Sequence, residues 1–173
     1  IKFVHEQTVR HMNTGLTPDE VVQVVKLPTH LANYAPDLRQ YYGTVKQAVR
    51  QIYVGYLGWF EGDPVALDPV PEAEKARRLV AIMGGHDKVL QLASRSLEDD
   101  DPQWAAELAT YLIRIDNDDM PARHIKAEAF RQLGYASMNV NWRNWYLTSA
   151  HELSGTLNAA MDAEKMAKVF MPP

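Results

Sequence analysis

The sequence predicts an all-α fold, and three observations support this class. Successive segments carry apolar residues three or four positions apart, which is the spacing of one helix face. Prolines and capping residues stand where many of these segments begin, and glycines stand where several end. No alternating strand pattern of comparable length is present. We expect antiparallel helical hairpins in a tetratricopeptide-like array, preceded by an N-terminal helical arm, with a plain helix bundle as the alternative.

The first predicted helix spans residues 1–14. Val4, Thr8 and Met12 recur in it at intervals of four, so they share one face. Gly15 follows and is suited to ending the helix, because glycine readily adopts the left-handed conformation of a C-terminal cap.

The second predicted helix has a strong start signal. Thr17 is placed to cap it, Pro18 occupies the first helical position, and Glu20 completes a capping box. The helix is rich in valine and stops at Leu27-Pro28.

Both helices belong to the arm, residues 1 to about 60, which offers little core of its own. The apolar residues that the arm is expected to leave uncovered are Phe3, Val4, Val21, Val22, Val24, Val25 and Leu27. Fully burying one valine or leucine side chain is worth roughly 1.5–3 kcal/mol. Leaving several exposed would favour association. We therefore expect the arm to pack across a second subunit in a two-fold interface.

A helix over residues 44–57 runs into an aromatic corner at residues 53–64. The apolar face of this helix contains Val45, Ala48, Val49, Ile52, Tyr53 and Tyr56. In the corner, Trp59 and Phe60 lie between two glycines that permit a tight backbone turn. One interpretation is a buried corner between helices. The other is a corner that lines a pocket or a subunit contact.

Three prolines in residues 64–71 predict an extended linker and an internal boundary. We divide the single domain into an arm with its corner, residues 1–63, and a helical-hairpin array, residues 71–170. The array is expected to contain helices at residues 71–83, 87–97, 102–115, 121–134, 141–154 and 156–170.

The composition is that of an ordinary globular protein, with 46% hydrophobic and 23% charged residues. The net charge of -4 argues against a nucleic-acid surface, and no apolar run approaches the roughly 18 residues that span a bilayer. Without cysteine the chain has no disulfide or thiol site and fits any compartment. It lacks an initiator methionine and begins within a helical pattern, so we expect a fragment of a longer chain.

No complete catalytic or metal-binding motif is present in the sequence. We expect the six histidines to be capping or surface residues: His5, His11, His30, His86, His124 and His151. The acidic run at residues 116–119 lacks the glycine and glutamate of a calcium loop. It is better suited to capping the helix at Pro121 through Asp119, and residues 98–101 are suited to the same role for the helix at Pro102.

An aromatic run at residues 141–147 contains Trp142, Trp145 and Tyr146 beside Arg143. Spread around a helix, these rings would lie partly in the core and partly at an interface. The alternative is a face on which a partner docks.

A series of motifs in this chain follows the order and spacing of a known family. They are Gly58–Pro64, Gly84-Gly85, Trp104–Leu108, Leu133–Tyr135, Trp142–Asn144, Tyr146–Thr148 and Glu152-Leu153, with His5–Thr8, Met12-Asn13 and Gly15–Glu20 in the arm. Over nearly its whole length the chain resembles the dimerisation domain of the alkylsulfatases. These are zinc-dependent enzymes that hydrolyse alkyl sulfate esters such as dodecyl sulfate.

The resemblance implies a parent protein with a metallo-β-lactamase-like catalytic domain, this helical domain and a sterol-carrier-like C-terminal domain. In the family, zinc is bound in the catalytic domain by a His-x-His-x-Asp-His motif, which this sequence lacks. The resemblance therefore assigns no metal ligand to this chain. It implies a domain that pairs two subunits as a homodimer and helps to wall the active site.

The resemblance also implies that a tyrosine near the aromatic corner donates a hydrogen bond to the sulfate group. Tyr53 and Tyr56 are the two candidates, and a phenol can donate one short hydrogen bond without adding charge. The alternative is that both are core residues with their hydroxyls at the surface. Asp63 departs from the family pattern, which often has asparagine at this position.

The residues alone leave two other functions open. One is a free-standing helical-repeat scaffold that binds a protein or peptide in a concave groove. The other is an independent enzyme with a carboxylate-based site. A His-x-His-x-Asp-His motif encoded upstream in the same gene would favour the alkylsulfatase function over both.

Overall fold

The computed structural model describes residues 1–34 and 39–157, and this part of the chain is helical, without strands. The all-α prediction is confirmed, whereas the tetratricopeptide-like order of hairpins stays a prediction. The helix predicted over residues 156–170 lies, from residue 158 onward, outside the described residues.

The described residues form nine α-helices and one short 3-10 helix. In chain order they are α1 (Lys2–Met12), α2 (Pro18–Val24), α3 (Thr29–Ala32), α4 (Val45–Leu57), the 3-10 helix (Pro64–Ala66), α5 (Glu72–Ile82), α6 (His86–Glu98), α7 (Pro102–Ile115), α8 (Met120–Ala136) and α9 (Val140–Leu153).

The chain separates into two compact units. Of the described residues, the first contains Ile1–Tyr34, Arg39–Pro71 and Ser137–Arg143, and the second contains Glu72–Ala136 and Asn144–Leu157. The change from the first unit to the second at Pro71 falls at the end of the proline-rich stretch.

In the first unit, α1 and α2 pack against α4, and five valines form the buried cluster: Val4, Val21, Val22, Val25 and Val49. Phe3 and Leu27 pack against this cluster and are partly buried. The expectation that the arm cannot bury its own apolar residues is therefore wrong. The reason is that α4, which belongs to the arm, supplies the apolar face that covers them. Val24 is the exception and is 49% exposed.

The start of α2 is the capping box that the sequence predicts. The backbone N–H of Thr17 donates to the Glu20 carboxylate at 2.8 Å, and the backbone N–H of Glu20 donates to the Thr17 hydroxyl at 3.4 Å. Both bonds satisfy backbone donors that a helix start leaves unpaired. The hydrogen bond from the Thr17 backbone also lowers the pKa of the Glu20 carboxyl group.

In the second unit, α5 to α8 surround the larger cluster, which contains Val80, Val89, Ala93, Leu108, Ala109, Leu112 and Ala122. The side chains of Asp101 and Asp119 accept hydrogen bonds from the first turns of α7 and α8, at 3.1 Å in each case. These N-terminal caps are the ones that the sequence predicts.

The sequence predicts that α8 ends near Gly134, but the helix continues to Ala136. Gly134 is buried inside the helix, and a Cβ atom at this position would lie 2.8 Å from the side chain of Leu147. The glycine therefore permits close approach of Leu147 of α9 and does not end the helix.

Candidate functional site

The two tyrosines that the sequence nominates lie one turn apart near the end of α4 and differ in exposure. Tyr53 is buried, with 6% of its surface exposed, whereas Tyr56 is 61% exposed. A ligand outside the first unit can reach the phenol of Tyr56 without rearrangement of the helix. The structure thus distinguishes two residues that the sequence treats alike.

His5 of α1 contacts Tyr56. The distance from His5 Nε2 to the Tyr56 hydroxyl is 3.0 Å, and the ring centroids are 5.7 Å apart. If Nε2 carries the proton, it donates to the phenol oxygen and leaves the phenol O–H free to donate elsewhere. If Nε2 is unprotonated, the phenol donates to the imidazole. The protonation of His5 Nε2 therefore sets the direction of this hydrogen bond.

The aromatic corner is exposed. Gly58 and Gly62 have φ angles of 76° and 96°, which residues with a side chain rarely adopt. Trp59 is 67% exposed, and its ring meets that of Phe60 edge-on at 5.7 Å. The interpretation as a buried corner is therefore wrong, since the chain beyond Tyr53 leaves the covered face of α4. The interpretation as a pocket wall or subunit contact stays a prediction.

Three other tyrosines of the first unit are also exposed: Tyr34, Tyr41 and Tyr42, at 60%, 42% and 74%. The backbone oxygens of Tyr41 and Tyr42 accept hydrogen bonds from the backbone N–H of Val140 and the side chain of Asn141. Exposure alone therefore does not single out Tyr56, and any test of its role needs these phenols as controls.

The second unit contains a histidine held between two carboxylates. His86 Nε2 lies 2.7 Å from Asp119 Oδ2, and His86 Nδ1 lies 3.0 Å from Asp87 Oδ1. Hydrogen bonds to Asp87 first and Asp119 second raise the pKa of His86, against a smaller opposing effect of burial. Because both ring nitrogens contact carboxylates, the arrangement favours the protonated form of the imidazole.

An open cleft of about 650 Å³ lies beside His86. Its lining includes the apolar residues Val80, Leu112, Ile115 and Met120, and also Asp116 and Asp118. Apolar clefts with a few polar groups are the usual form of small-molecule sites. Neither the cleft nor the contact between His86 and Asp119 follows from local sequence, because these two residues are 33 positions apart.

Within the described ranges, no group of three or more histidine, aspartate or glutamate side chains could hold a metal ion. The rings of His5, His86 and His151 form hydrogen bonds with tyrosine, aspartate and threonine side chains, respectively. None of the helices in this part of the chain is long and apolar enough to cross a membrane.

The aromatic run of α9 divides between different environments. Trp145 is 76% exposed, whereas Tyr146 is half-buried, with its ring 5.4 Å from that of Phe130. Burial raises the pKa of Tyr146. Lys126 Nζ lies over the same Phe130 ring at 5.4 Å, and desolvation lowers the pKa of this lysine. The half-buried Tyr146 supports the interpretation of the run as part of the core, and the exposed Trp145 supports its interpretation as a docking face.

Comparison with known proteins gives a family match. Residues 17–156 match the family described as alkyl sulfatase dimerisation. The whole chain is 64% identical to part of a linear primary-alkylsulfatase from a Pseudomonas strain, of which it covers 33%. An alkyl/aryl-sulfatase from Saccharomyces cerevisiae is 36% identical over 152 residues, which are 88% of this chain and 23% of the yeast protein.

A solved structure agrees with these matches. The stereoselective inverting sec-alkylsulfatase of a Pseudomonas species aligns with a TM-score of 0.82 and 37% identity over 91% of this chain. The aligned part is 25% of the solved chain. The chain thus spans about a quarter to a third of the length of the proteins that it matches.

Proposed function

Because the chain belongs to the alkyl sulfatase dimerisation family, we propose that it joins two subunits of an alkyl sulfate ester hydrolase and forms part of the wall of its active site. The observation that carries this proposal is the 64% identity to a linear primary-alkylsulfatase along the entire chain. The all-helical fold and its agreement with a solved sec-alkylsulfatase support the same assignment.

The metal-binding groups of the parent are proposed to lie outside this chain. The described residues have no cluster that suits a metal ion, so they do not fit the zinc of the proposed enzyme. We assign zinc to a metallo-β-lactamase-like catalytic domain of the parent, where the metal would act as a Lewis acid and activate water. A sterol-carrier-like domain would complete the parent protein.

The decisive experiment compares the purified parent with the 173-residue chain. We expect the parent to release sulfate from dodecyl sulfate, to lose this activity when a chelator removes zinc, and to regain it when zinc is added back. The chain alone is expected to release none. Zinc-dependent release by the chain alone would contradict the division of roles, and an inactive zinc-loaded parent would contradict the proposed reaction.

Within this function, the tyrosine that donates a hydrogen bond to the sulfate is assigned to Tyr56 over Tyr53. Support comes from the exposure of Tyr56 and its contact with His5, which can leave the phenol O–H free to donate. A sulfate oxygen would then accept a single, uncharged hydrogen bond.

The test uses phenylalanine variants of the parent protein. Tyr56→Phe removes only the hydroxyl, and we expect activity to fall by about tenfold or more, as for loss of one hydrogen bond to a charged group. Tyr53→Phe and Tyr42→Phe are the matched controls, one buried and one exposed. Loss of activity in Tyr42→Phe but not in Tyr56→Phe would place the sulfate contact in the loop before α4.

A further inference from the structure

A second cleft, of about 450 Å³, lies in the first unit. It is lined by residues from the end of α2 and just beyond it, from the loop before α4, from the start of α4, and by Trp142. Its volume is within the range of about 300–1,000 Å³ that is usual for small-molecule sites. The function proposed above assigns no role to this cleft.

Part of the lining is apolar and accessible. Leu27 and Val45 pack against the buried valine cluster, and together with Trp142 they line the cleft. All three are half-buried, so each keeps some apolar surface open to a ligand. An alkyl chain that lies against these side chains leaves water, and the gain grows with the apolar area that is covered.

Gln40 gives this side of the cleft a defined shape. Its side-chain oxygen accepts a hydrogen bond from the backbone N–H of Val45 at 2.8 Å, and its backbone oxygen accepts one from the Asn139 side chain at 3.1 Å. Because the oxygen of the side-chain amide is the acceptor, the two N–H groups of that amide are left to donate elsewhere. A lining that is already ordered loses less conformational entropy when a ligand binds.

The charge of the cleft is positive. Lys26 and Lys46 line it, whereas its lining within the described part of the chain includes no aspartate or glutamate. Neither lysine forms an ion pair or hydrogen bond with another described residue. The carboxylates of α2 are engaged elsewhere, since Asp19 pairs with Arg50 at 2.7 Å and Glu20 completes the capping box. Both ammonium groups are therefore available to an anion.

The cleft is separate from the sulfate contact proposed at Tyr56. Lys46 and Tyr56 both belong to α4 and are ten positions apart, which corresponds to about 15 Å along the helix axis. Tyr56 does not belong to the lining of the cleft. A ligand whose head group binds at Lys46 therefore occupies a different place from one that accepts a hydrogen bond from Tyr56.

We propose that this cleft binds an anionic amphiphile with a single alkyl chain, its head group at Lys26 and Lys46 and its chain along Leu27, Val45 and Trp142. Charge complementarity selects the head group, and the apolar lining selects the chain. The alkyl sulfates of the proposed reaction belong to this class, so the inference rests on the proposed function for its ligand. It goes beyond that function because it assigns amphiphile binding to the helical chain itself, at a site other than Tyr56.

Calorimetric titration of the 173-residue chain tests the ligand class. Decyl sulfate is used below the concentration at which it forms micelles, and circular dichroism checks that helix content is unchanged. We expect decyl sulfate to bind about tenfold or more tightly than octyl sulfate, because each buried methylene is worth about fourfold in affinity. Inorganic sulfate, which has no chain, and decyltrimethylammonium, which has the opposite charge, should bind far more weakly. Equal binding of decyltrimethylammonium overturns the proposal.

Decanoate distinguishes two sources of such a ligand. If it binds more weakly than decyl sulfate, the cleft is assigned to sulfate esters. If the two bind equally, the cleft is assigned to single-chain anions in general, which include alkyl sulfates.

Variants of the two lysines locate the site. The double substitution Lys26→Gln with Lys46→Gln should weaken decyl sulfate binding at least about tenfold, as for loss of hydrogen bonds to a charged group. Lys75→Gln with Lys88→Gln removes the same charge from exposed positions of the second unit and should leave binding unchanged. Lys26→Glu with Lys46→Glu should reverse the preference in favour of decyltrimethylammonium, a result that misfolding would not produce. Equal weakening by the two glutamine pairs overturns the site.

Protection of lysines from acetylation tests the site in the unmodified chain. Brief acetylation followed by mass spectrometry is carried out with and without decyl sulfate. We expect the ligand to slow acetylation of Lys26 and Lys46 several-fold and to leave Lys75 unchanged. Equal slowing at Lys75 would show unspecific coating by the amphiphile and overturn the proposal. Protection without ligand that grows with protein concentration would show that a second copy covers the cleft, which also overturns it.

The outcomes separate this inference from the proposed function. If the chain binds decyl sulfate at this cleft but the zinc-loaded parent hydrolyses no alkyl sulfate, the binding site stands and the proposed reaction is contradicted. If the parent is active but the Lys26→Gln with Lys46→Gln chain binds decyl sulfate as the wild-type chain does, the cleft is overturned and the proposed function stands.

Discussion

His86 interacts through both ring nitrogens with carboxylates, and this makes it a pH-dependent contact between α6 and α8. Its pKa is raised, first by Asp87 and then by Asp119, so the charged imidazole is favoured in the folded state. A raised folded pKa contributes stability that is fully present below the unfolded pKa, about 6.5. This contribution is lost as the pH rises through the folded pKa. The imidazole is 51% exposed, so solvent screening keeps the contribution small.

We predict that the difference in Tm between the wild-type chain and His86→Gln is largest below the unfolded pKa of about 6.5 and shrinks as the pH rises through the higher folded pKa. Thermal unfolding followed by circular dichroism measures it. Asp119 still caps α8 in this variant through its other oxygen. Asp87→Asn removes the largest cause of the shift and should flatten the dependence. Parallel Tm curves for the wild-type chain and His86→Gln would contradict the prediction.

Gly134 is the residue where packing overrides helix propensity. Alanine in a helix interior gains roughly 1 kcal/mol over glycine. At this position the new Cβ would lie 2.8 Å from Leu147, and overpacking a core costs about 1–3 kcal/mol. We therefore predict that Gly134→Ala lowers the free energy of unfolding by about 1 kcal/mol, as measured with urea.

The double-mutant cycle with Leu147→Ala identifies the cause. If the clash is with the Leu147 side chain, the second substitution relieves it, and the two single losses exceed the loss in the double variant by about 1 kcal/mol. A coupling near zero would show that the penalty arises elsewhere.

The contacts between individual residues were the part of the candidate site that sequence reasoning described least well. It predicted Asp119 as a helix cap, because a cap depends on neighbours three positions away. It did not pair His86 with Asp119 or His5 with Tyr56, since the partners are 33 and 51 positions apart. Nor could it rank Tyr53 against Tyr56. Both fit the apolar face of α4, and only the packing of that helix against its neighbours shows that Tyr53 is buried and Tyr56 is exposed.

Among the features of the helices, the N-terminal ends were predicted best. The capping box of α2 and the aspartate caps of α7 and α8 stand where the sequence places them. The short helix α3 was not predicted, because four residues after Pro28 give no periodic pattern. The stacking order of hairpins was likewise out of reach, since apolar periodicity defines a face but not its neighbour.

The cap of α2 leads to a prediction about the stability of the chain. A helix of seven residues is too short to be stable by itself, so its first turn depends on the Thr17 cap. Thr17→Ala should lower the free energy of unfolding by about 1 kcal/mol, whereas Thr17→Ser keeps the hydroxyl and should lose much less. Urea unfolding of the three chains measures both values. Equal losses in the alanine and serine variants would show that the methyl group of Thr17, rather than its hydroxyl, stabilises this turn.

At the scale of the whole molecule, the chain has separate buried clusters. The valine cluster of the first unit contains fully buried Val49, and the main cluster of the second unit contains nearly fully buried Leu112. The two clusters have no residue in common. Substitutions at sites without shared partners usually act independently, because neither changes the contacts of the other.

This separation yields a prediction about local stability. Val49→Ala removes two buried methyl groups and Leu112→Ala creates a larger cavity, with an expected loss of about 2–5 kcal/mol for the leucine. Hydrogen exchange followed by mass spectrometry reports opening in each unit separately. We expect Val49→Ala to speed exchange in α1, α2 and α4 and to leave α6 to α8 unchanged, and Leu112→Ala to do the reverse. If either substitution speeds exchange equally in both sets of helices, the two clusters open together as one cooperative core.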